Sequence, residues 1–199
     1  TGRYPGSACD GDTFWASFSS GTDSQIHVPV SRWDTEIYYK SEHTVGYSMT
    51  CHGARMNDEV VQGFDNHFFG IEADEARLMP PKDRITLEVG YETLHRAGYR
   101  QETLRRLDMG SFMGDSGSDW PGMLDETGVI HEKRWDQQTN AVNCSRLEWI
   151  FGMTGPCSTA ETACSSSLVA TGIAHMTMRD PMEDQPKTGF CSGSRNALV

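Results

Sequence analysis

One stretch of the chain repeats apolar residues at the spacing of an α-helix. In residues 84–97, Leu87, Tyr91 and Leu94 lie at intervals of three and four positions and would share one face. Gly98 follows where a helix commonly ends, because glycine readily adopts the left-handed conformation needed there. We therefore expect a helix whose apolar stripe faces a protein core.

A second helical pattern follows a short run that is typical of a strand. Residues 158–163 include Thr159 and Thr162 and favour a strand. Residues 165–179 then carry small and apolar residues at helical spacing, namely Leu168, Ala170, Ile173, Ala174 and Met176. The pattern predicts a strand that turns directly into a helix, with Cys164 at the turn.

The remaining segments are less regular. Residues 1–60 are rich in Gly, Ser, Thr and Asp, so we expect a loop-dominated entry region ahead of a core in residues 61–199. Residues 115–119, Asp-Ser-Gly-Ser-Asp, are typical of a turn and lack the Gly-Lys-Ser/Thr ending of a phosphate-binding loop. Pro186 closes an acidic stretch that precedes a last predicted strand near residues 189–199.

The predicted turn gives Cys164 the surroundings that a thiolate nucleophile needs. Three serines follow it, and serine is favoured in the first turn of a helix because its hydroxyl can satisfy free backbone N–H groups. The partial positive charge at a helix N-terminus favours the thiolate over the thiol, and nearby N–H groups can bind an oxyanion. The alternative is that Cys164 is a small buried apolar residue, as many free cysteines are.

Charge and composition exclude several classes of protein. A formal net charge of −11 argues against nucleic acid or anionic lipid as the main partner, because such partners are bound by basic surfaces. No apolar run approaches the roughly 20 residues of a membrane-spanning helix. Arg100, Arg105 and Arg106 form a local basic cluster that could meet an acidic carrier protein, or simply be a solvated helix face.

Cysteine and histidine spacing does not indicate a metal site or a disulfide scaffold. The six cysteines include no C-x-x-C pair, and the histidines include no pair at i,i+4. We therefore expect no bound metal or cofactor, and thiols kept in a reducing compartment, cytoplasmic or plastid-type.

Several motifs in order along the chain resemble those of the β-ketoacyl synthases, especially the ketosynthase domains of polyketide synthases. Thr162–Leu168, Thr-Ala-Cys-Ser-Ser-Ser-Leu, resembles the family's active-site signature. The other resembling segments are Gly2–Gly6, Val28–Asp34, Phe64–Ile71, Glu75–Ala76, Pro81–Val89, Gly110–Gly114 with Asp119–Trp120, and Arg195–Asn196. Pro80 departs from the pattern, where the family has Asp, and Ser192–Ser194 keeps only one glycine of a usual pair.

The resemblance implies a thiolase-like α/β fold, built from two similar halves of helices around a mixed sheet. Residues 1–199 would be the N-terminal half without its first strand. Cys164 would accept an acyl group from the phosphopantetheine thioester of an acyl carrier protein, ahead of decarboxylative Claisen condensation in polyketide or fatty-acid synthesis. The family's two catalytic histidines lie in motifs beyond the cysteine, so we expect no complete condensation from this chain.

The resemblance also implies partners: an acyl carrier protein, the remaining half of the fold or a larger complex, and a homodimer. Two other functions stay open. The chain could be a non-catalytic ketosynthase-like segment that serves as a structural or interaction subunit. It could also be a cysteine hydrolase, which would need one of the seven histidines as a base.

Overall fold

The computed structural model describes residues 1–6, 8–120, 140–179, 186 and 188–196. It divides the chain into two compact units, Thr1–Gly63 and Phe64–Ala197. No helix within the described residues is both long enough and apolar enough to cross a membrane.

The first unit consists of short elements joined by loops. They are α1 (Gly11–Ser19), β1 (Gln25–His27), α2 (Thr35–Tyr38), β2 (His52–Ala54) and α3 (Asp58–Gln62). β1 and β2 form an antiparallel pair. α1 begins after Asp10, whose carboxylate accepts a hydrogen bond of 2.8 Å from the backbone N–H of Thr13.

The second unit is a parallel sheet covered by helices. Its elements are α4 (Asn66–Phe69), α5 (Ala73–Leu78), α6 (Pro81–Arg96), α7 (Gln101–Leu104), β3 (Gly110–Ser118), α8 (Asn140–Phe151), β4 (Cys157–Ala160), a 3-10 turn (Ala163–Ser165), α9 (Ser166–Arg179) and β5 (Gly189–Asn196). β3 lies in the centre, between β4 and β5, and is parallel to both. This is the layered α/β arrangement that the resemblance implies.

The predicted helix at residues 84–97 is confirmed as α6, which begins earlier, at Pro81. Proline suits the first helical position because its backbone angle is already helical and no N–H is lost there. Leu87 and Leu94 are buried, as predicted for a core stripe. Gly98 adopts a φ of +95° just after the helix, as its predicted terminal role requires.

Successive side chains of β3 point to opposite faces of the sheet, and different helices cover these two faces. Phe112 of β3 packs with Ala170 and Ala174 of α9. On the opposite face, the Ser111 hydroxyl donates to the Cys144 carbonyl of α8, over 3.3 Å. The larger core lies on that second face and joins α6 and α8 through residues that include Leu87, Leu94, Met109, Leu147, Phe151 and Phe190.

The predicted turn at residues 115–119 is wrong in its first part. Residues 115–118 continue β3, with an irregular register against β5 between Asp115 and Ser118 and a left-handed Gly117. Asp115 is completely buried rather than exposed in a loop. Its carboxylate contacts Lys82 and Asn143, partners that local composition cannot reveal.

The last predicted strand, near residues 189–199, begins as expected. β5 starts at Gly189 and is described as far as Asn196, and residues 197–199 lie outside the described residues.

Candidate active site

Cys164 lies on a tight turn between β4 and α9. The strand ends at Ala160, earlier than predicted, and the helix begins at Ser166, one residue later than predicted. Between them Cys164 is the middle residue of a 3-10 turn and is exposed. Because β4 is parallel to its neighbour, this turn lies at the carboxyl edge of the sheet, where open α/β sheets place their ligands.

The turn contains backbone strain directly before the cysteine. Ala163 has a φ of +53°, in the left-handed region that side chains other than glycine adopt at a cost. The Ser165 N–H donates to the Thr162 carbonyl over 3.2 Å, which closes the turn. Strain of this kind persists only where surrounding contacts hold it, and such positions cluster at functional sites.

Two serine side chains make hydrogen bonds that stabilise the turn around Ala163. The Ser166 hydroxyl accepts from the Thr162 N–H over 2.8 Å and donates to the Ala163 carbonyl over 2.7 Å. The Ser165 hydroxyl donates to the Thr162 carbonyl, also over 2.8 Å. As predicted, a serine hydroxyl after Cys164 satisfies a backbone N–H group, that of Thr162, which lies just before the turn.

Two glycines let the start of α9 approach the sheet. A Cβ on Gly114 of β3 would lie 2.5 Å from the Ser167 Cα and closer still to the backbone of Ser166. A Cβ on Gly193 of β5 would overlap the Ser167 side chain. Gly193 is the glycine retained within Ser192–Ser194. Residue spacing did not identify this role, because the contact joins segments more than 25 positions apart.

The helix that follows Cys164 is apolar on two sides. Ala170 and Ala174 are buried against the sheet. Leu168 and Met176 are 75% and 74% exposed, respectively. A helix with apolar residues on two sides is typical of a position covered on both, and the described residues of this unit cover one of them.

A buried polar cluster supports β3 next to this contact. The Lys82 ammonium of α6 lies 2.5 Å from the Asp115 carboxylate, and both side chains are almost completely buried. The Asn143 amide of α8 donates to the same carboxylate oxygen over 2.7 Å. The cluster therefore joins α6, β3 and α8 one residue beyond Gly114.

Asp83 lies beside this cluster, and its buried position disfavours the ionised form of its carboxyl. Burial raises the pKa of its carboxyl to about 7, and the charge of Asp115 adds to the rise, while Lys82, Arg146 and Asn143 oppose it. By distance and angle, neither carboxylate oxygen of Asp83 accepts a hydrogen bond from a described residue, so proximity to Asn143 does not satisfy it.

Asp83→Asn should stabilise the chain above pH 7. Between about pH 4 and pH 7 the unfolded carboxyl is ionised while the folded one holds its proton, so the free energy of unfolding of the natural chain falls as pH rises. The total fall is at most about 4 kcal/mol for a shift of this size. Urea unfolding at pH 5 and pH 8 measures it. Asp108→Asn, at an exposed position, should leave the pH dependence unchanged, and an equally steep fall in Asp83→Asn would contradict the assignment.

The thiol of Cys157 has the opposite character to a nucleophile. Although part of this residue is exposed, burial raises the pKa of its thiol to about 12, and the nearby Cys144 and Glu148 side chains add to the rise. Burial likewise raises the pKa of the Cys191 thiol. Neither thiol should compete with Cys164 for an electrophile near neutral pH.

The three arginines of the basic cluster are exposed, and one of them also contacts backbone carbonyls. The Arg100 guanidinium donates to the Tyr99 carbonyl over 2.9 Å and to the His95 carbonyl over 3.4 Å, near the end of α6. Arg105 and Arg106 are exposed. In the part of the chain that the structure describes, no histidine side chain is hydrogen-bonded to the Cys164 thiol, and no three metal-ligating side chains lie close enough together to hold an ion.

A comparison with protein families identifies the chain. Residues 1–184 match the model of the beta-ketoacyl synthase N-terminal domain. The chain belongs to this family. The resemblance inferred from the motifs is thereby confirmed, and the fold is the thiolase-like α/β fold of ketosynthases.

Relatives of known role are polyketide synthases. The chain is 34% identical over 193 residues to a phenolphthiocerol/phthiocerol polyketide synthase protein of Mycobacterium tuberculosis, covering 94% of this chain and 9% of that protein. It is 34% identical over 180 residues to the polyketide synthase GfsB of Streptomyces halstedii, covering 89% of this chain and 3% of that protein.

Solved ketosynthase structures superpose closely on this chain. The ketosynthase from module 6 of the bacillaene synthase of Bacillus subtilis has a TM-score of 0.78 at 28% identity, and the match covers 99% of this chain and 31% of that one. An oxazolomycin ketosynthase domain of Streptomyces albus has a TM-score of 0.79 at 28% identity, with 90% and 31% covered. The chain thus spans about a third of the length of these two solved chains.

Proposed function

We propose that Cys164 is the acyl-accepting nucleophile of a polyketide-synthase ketosynthase. The observation that carries the proposal is the placement of an exposed thiol on a strained turn, held by Ser165 and Ser166, at the start of α9. The turn lies at the start of the helix, where backbone N–H groups can bind an oxyanion, and the exposed thiol can be reached from outside the unit.

The proposed chemistry is transfer of an acyl group between two sulfur atoms. The Cys164 thiolate attacks the carbonyl carbon of a thioester on the phosphopantetheine arm of an acyl carrier protein, and a new carbon–sulfur bond forms. The tetrahedral oxyanion is stabilised by backbone N–H groups of the turn, including that of Cys164. When it collapses, the old carbon–sulfur bond breaks and the pantetheine thiolate leaves and takes a proton.

Condensation needs groups from further polypeptide. The histidines that assist decarboxylation in ketosynthases would come from the part of a ketosynthase that this chain does not span, whether joined to this chain or supplied by another. The exposed outer face of α9, with Leu168 and Met176, is the surface that this further polypeptide would cover. We further propose that the whole assembly is a homodimer in a reducing compartment, cytoplasmic or plastid-type, which suits six free cysteines.

A second candidate function depends on the same exposed face of α9 but involves no catalysed reaction. A non-catalytic ketosynthase-like segment would present the apolar outer face of α9 to a partner and act as an interaction subunit. It differs from the first candidate in one respect that can be measured, because it does not require an activated thiol at position 164.

Acyl loading distinguishes the two candidates. We expect the purified chain to gain one acyl group from a short acyl thioester of pantetheine near neutral pH, and we expect Cys164→Ala to abolish the gain. Intact-mass measurement over time follows the reaction, and peptide mapping locates the adduct. Alkylation by iodoacetamide should favour the same site, by roughly tenfold or more over the other thiols.

Cys157→Ala is the matched control, because it removes a thiol of raised pKa from the strand that leads to the same turn. This variant should load acyl groups at the natural rate. Slow labelling spread over all six cysteines, unaffected by Cys164→Ala, would favour the interaction subunit. An exposed apolar face can promote aggregation, so circular dichroism of each variant should accompany the measurement.

A further inference from the structure

A pair of histidines lies on the two-stranded ladder of the first unit, far in sequence from the thiol site. His27 of β1 is directly opposite His52 of β2. The Val28 N–H donates to the Cys51 carbonyl over 2.9 Å, which marks the neighbouring pair as hydrogen-bonded. Because antiparallel pairs alternate, His27 and His52 occupy a non-hydrogen-bonded pair, where facing side chains are closest. Both residues are exposed.

The two imidazole rings are spaced as ligands of a single ion would be. Their centroids lie 5.4 Å apart, with the ring planes at 83°. With metal–nitrogen bonds of about 2.1 Å and an angle near the tetrahedral value, two imidazoles on one zinc ion have centroids about 5 Å apart. The observed centroid spacing is therefore close to that of two imidazoles on one ion.

In each ring, Nδ1 already makes a contact within the chain, as the non-coordinating nitrogen of a metal-ligating histidine usually does. His27 Nδ1 lies 3.2 Å from the Val28 carbonyl oxygen, which fixes a proton on that nitrogen. His52 Nδ1 lies 3.3 Å from the Cys51 sulfur. Metal-ligating histidines usually make such a contact with the second ring nitrogen, which orients the ring and leaves the other nitrogen for the ion. The Nε2 atoms of both rings remain for coordination.

We propose that His27 and His52 together bind one divalent transition-metal ion, of the zinc class, across the β1–β2 ladder. Imidazole nitrogen is a preferred ligand of such ions. Water completes the coordination, since the described residues contain no third ligand in place. The first unit carries eight carboxylates against four lysine and arginine side chains, so its field favours a cation. The site is independent of acyl transfer and clamps two strands together.

Titration of the full chain with zinc chloride tests the site. Calorimetry should show a binding event of one ion per chain that His27→Gln or His52→Gln weakens by at least roughly tenfold. The matched control is His43→Gln, an exposed histidine of the same unit outside the ladder, which should bind zinc as the natural chain does. Zinc should also raise the melting temperature of the natural chain, because an ion that binds only the folded state stabilises it.

A measurement on the unsubstituted chain guards against variants that fail to fold. With less than one equivalent of Cu²⁺ added, pulsed electron paramagnetic resonance should detect two coordinated imidazoles on the ion. One imidazole, or none, would overturn the proposal, as would zinc binding that survives both His27→Gln and His52→Gln. A loss of binding in His43→Gln equal to that in His27→Gln would also overturn it.

Discussion

Replacing Gly114 by alanine should destabilise the chain by about 3 kcal/mol, since a methyl group forced into backbone cannot be relieved by a rotamer change. The new Cβ would lie 2.5 Å from the Ser167 Cα and closer to neighbouring backbone atoms. Relief would require α9 to move away from β3. That movement would displace the turn that holds Cys164, so acyl loading should fall together with stability.

Gly172→Ala is the matched control for this substitution. Gly172 lies within α9, and apart from the backbone of its own helix a Cβ there would meet no atom of the described residues within 4 Å. Alanine is the better helix former, so this variant should be slightly more stable than the natural chain. Urea unfolding and the rate of acyl loading, measured on both variants, decide the matter. Equal stability of Gly114→Ala and the natural chain would mean that the sheet and the start of α9 are not in tight contact.

The sequence predicts those features that depend on neighbouring residues. The stripe of Leu87 and Leu94, with Gly98 after it, predicts α6 because spacing alone places these residues on one face. The small and apolar pattern of residues 165–179 likewise predicts the helix that follows Cys164. Each of these patterns lies within about four turns of chain, and such local patterns survive folding when tertiary contacts agree with them.

Features that depend on distant residues were predicted less well. The local sequence predicts that Asp115 belongs to a polar turn. It is buried instead, because its carboxylate contacts Lys82, which lies 33 positions earlier in the chain, and Asn143, which lies 28 positions later. The left-handed Ala163 gave no signal either, since glycine is the residue that normally marks such a conformation. One serine hydroxyl keeps its predicted role, since Ser166 satisfies the backbone N–H of Thr162, and it also donates to the Ala163 carbonyl, which the sequence does not predict.

Breaking the buried pair of Lys82 and Asp115 should have the largest effect on stability in the chain. Removing one partner of a buried ion pair commonly costs 3–5 kcal/mol, because the other charge is left without compensation. Both side chains are within 1% of complete burial here, so solvent cannot supply that compensation. We therefore expect Lys82→Met to lower the free energy of unfolding by about 4 kcal/mol at pH 8.

Asp115→Asn should cost less than Lys82→Met, because the two variants leave different charges behind. After Asp115→Asn, the Lys82 ammonium still has the Asp83 carboxyl nearby. Loss of the Asp115 charge lowers the pKa of Asp83, so this carboxyl ionises more readily. The Asp83 carboxylate then partly replaces the partner that Lys82 has lost. After Lys82→Met, two buried acids remain without their nearest cation, and the pKa of Asp83 rises further. Urea unfolding from pH 5 to pH 8 should therefore show a shallower fall in the free energy of unfolding for Asp115→Asn than for the natural chain. At pH 8, Lys82→Met should lose more of this free energy than Asp115→Asn does. Equal pH slopes for Asp115→Asn and the natural chain would mean that the Asp83 pKa does not respond to Asp115, and a larger loss for Asp115→Asn than for Lys82→Met would contradict the predicted order.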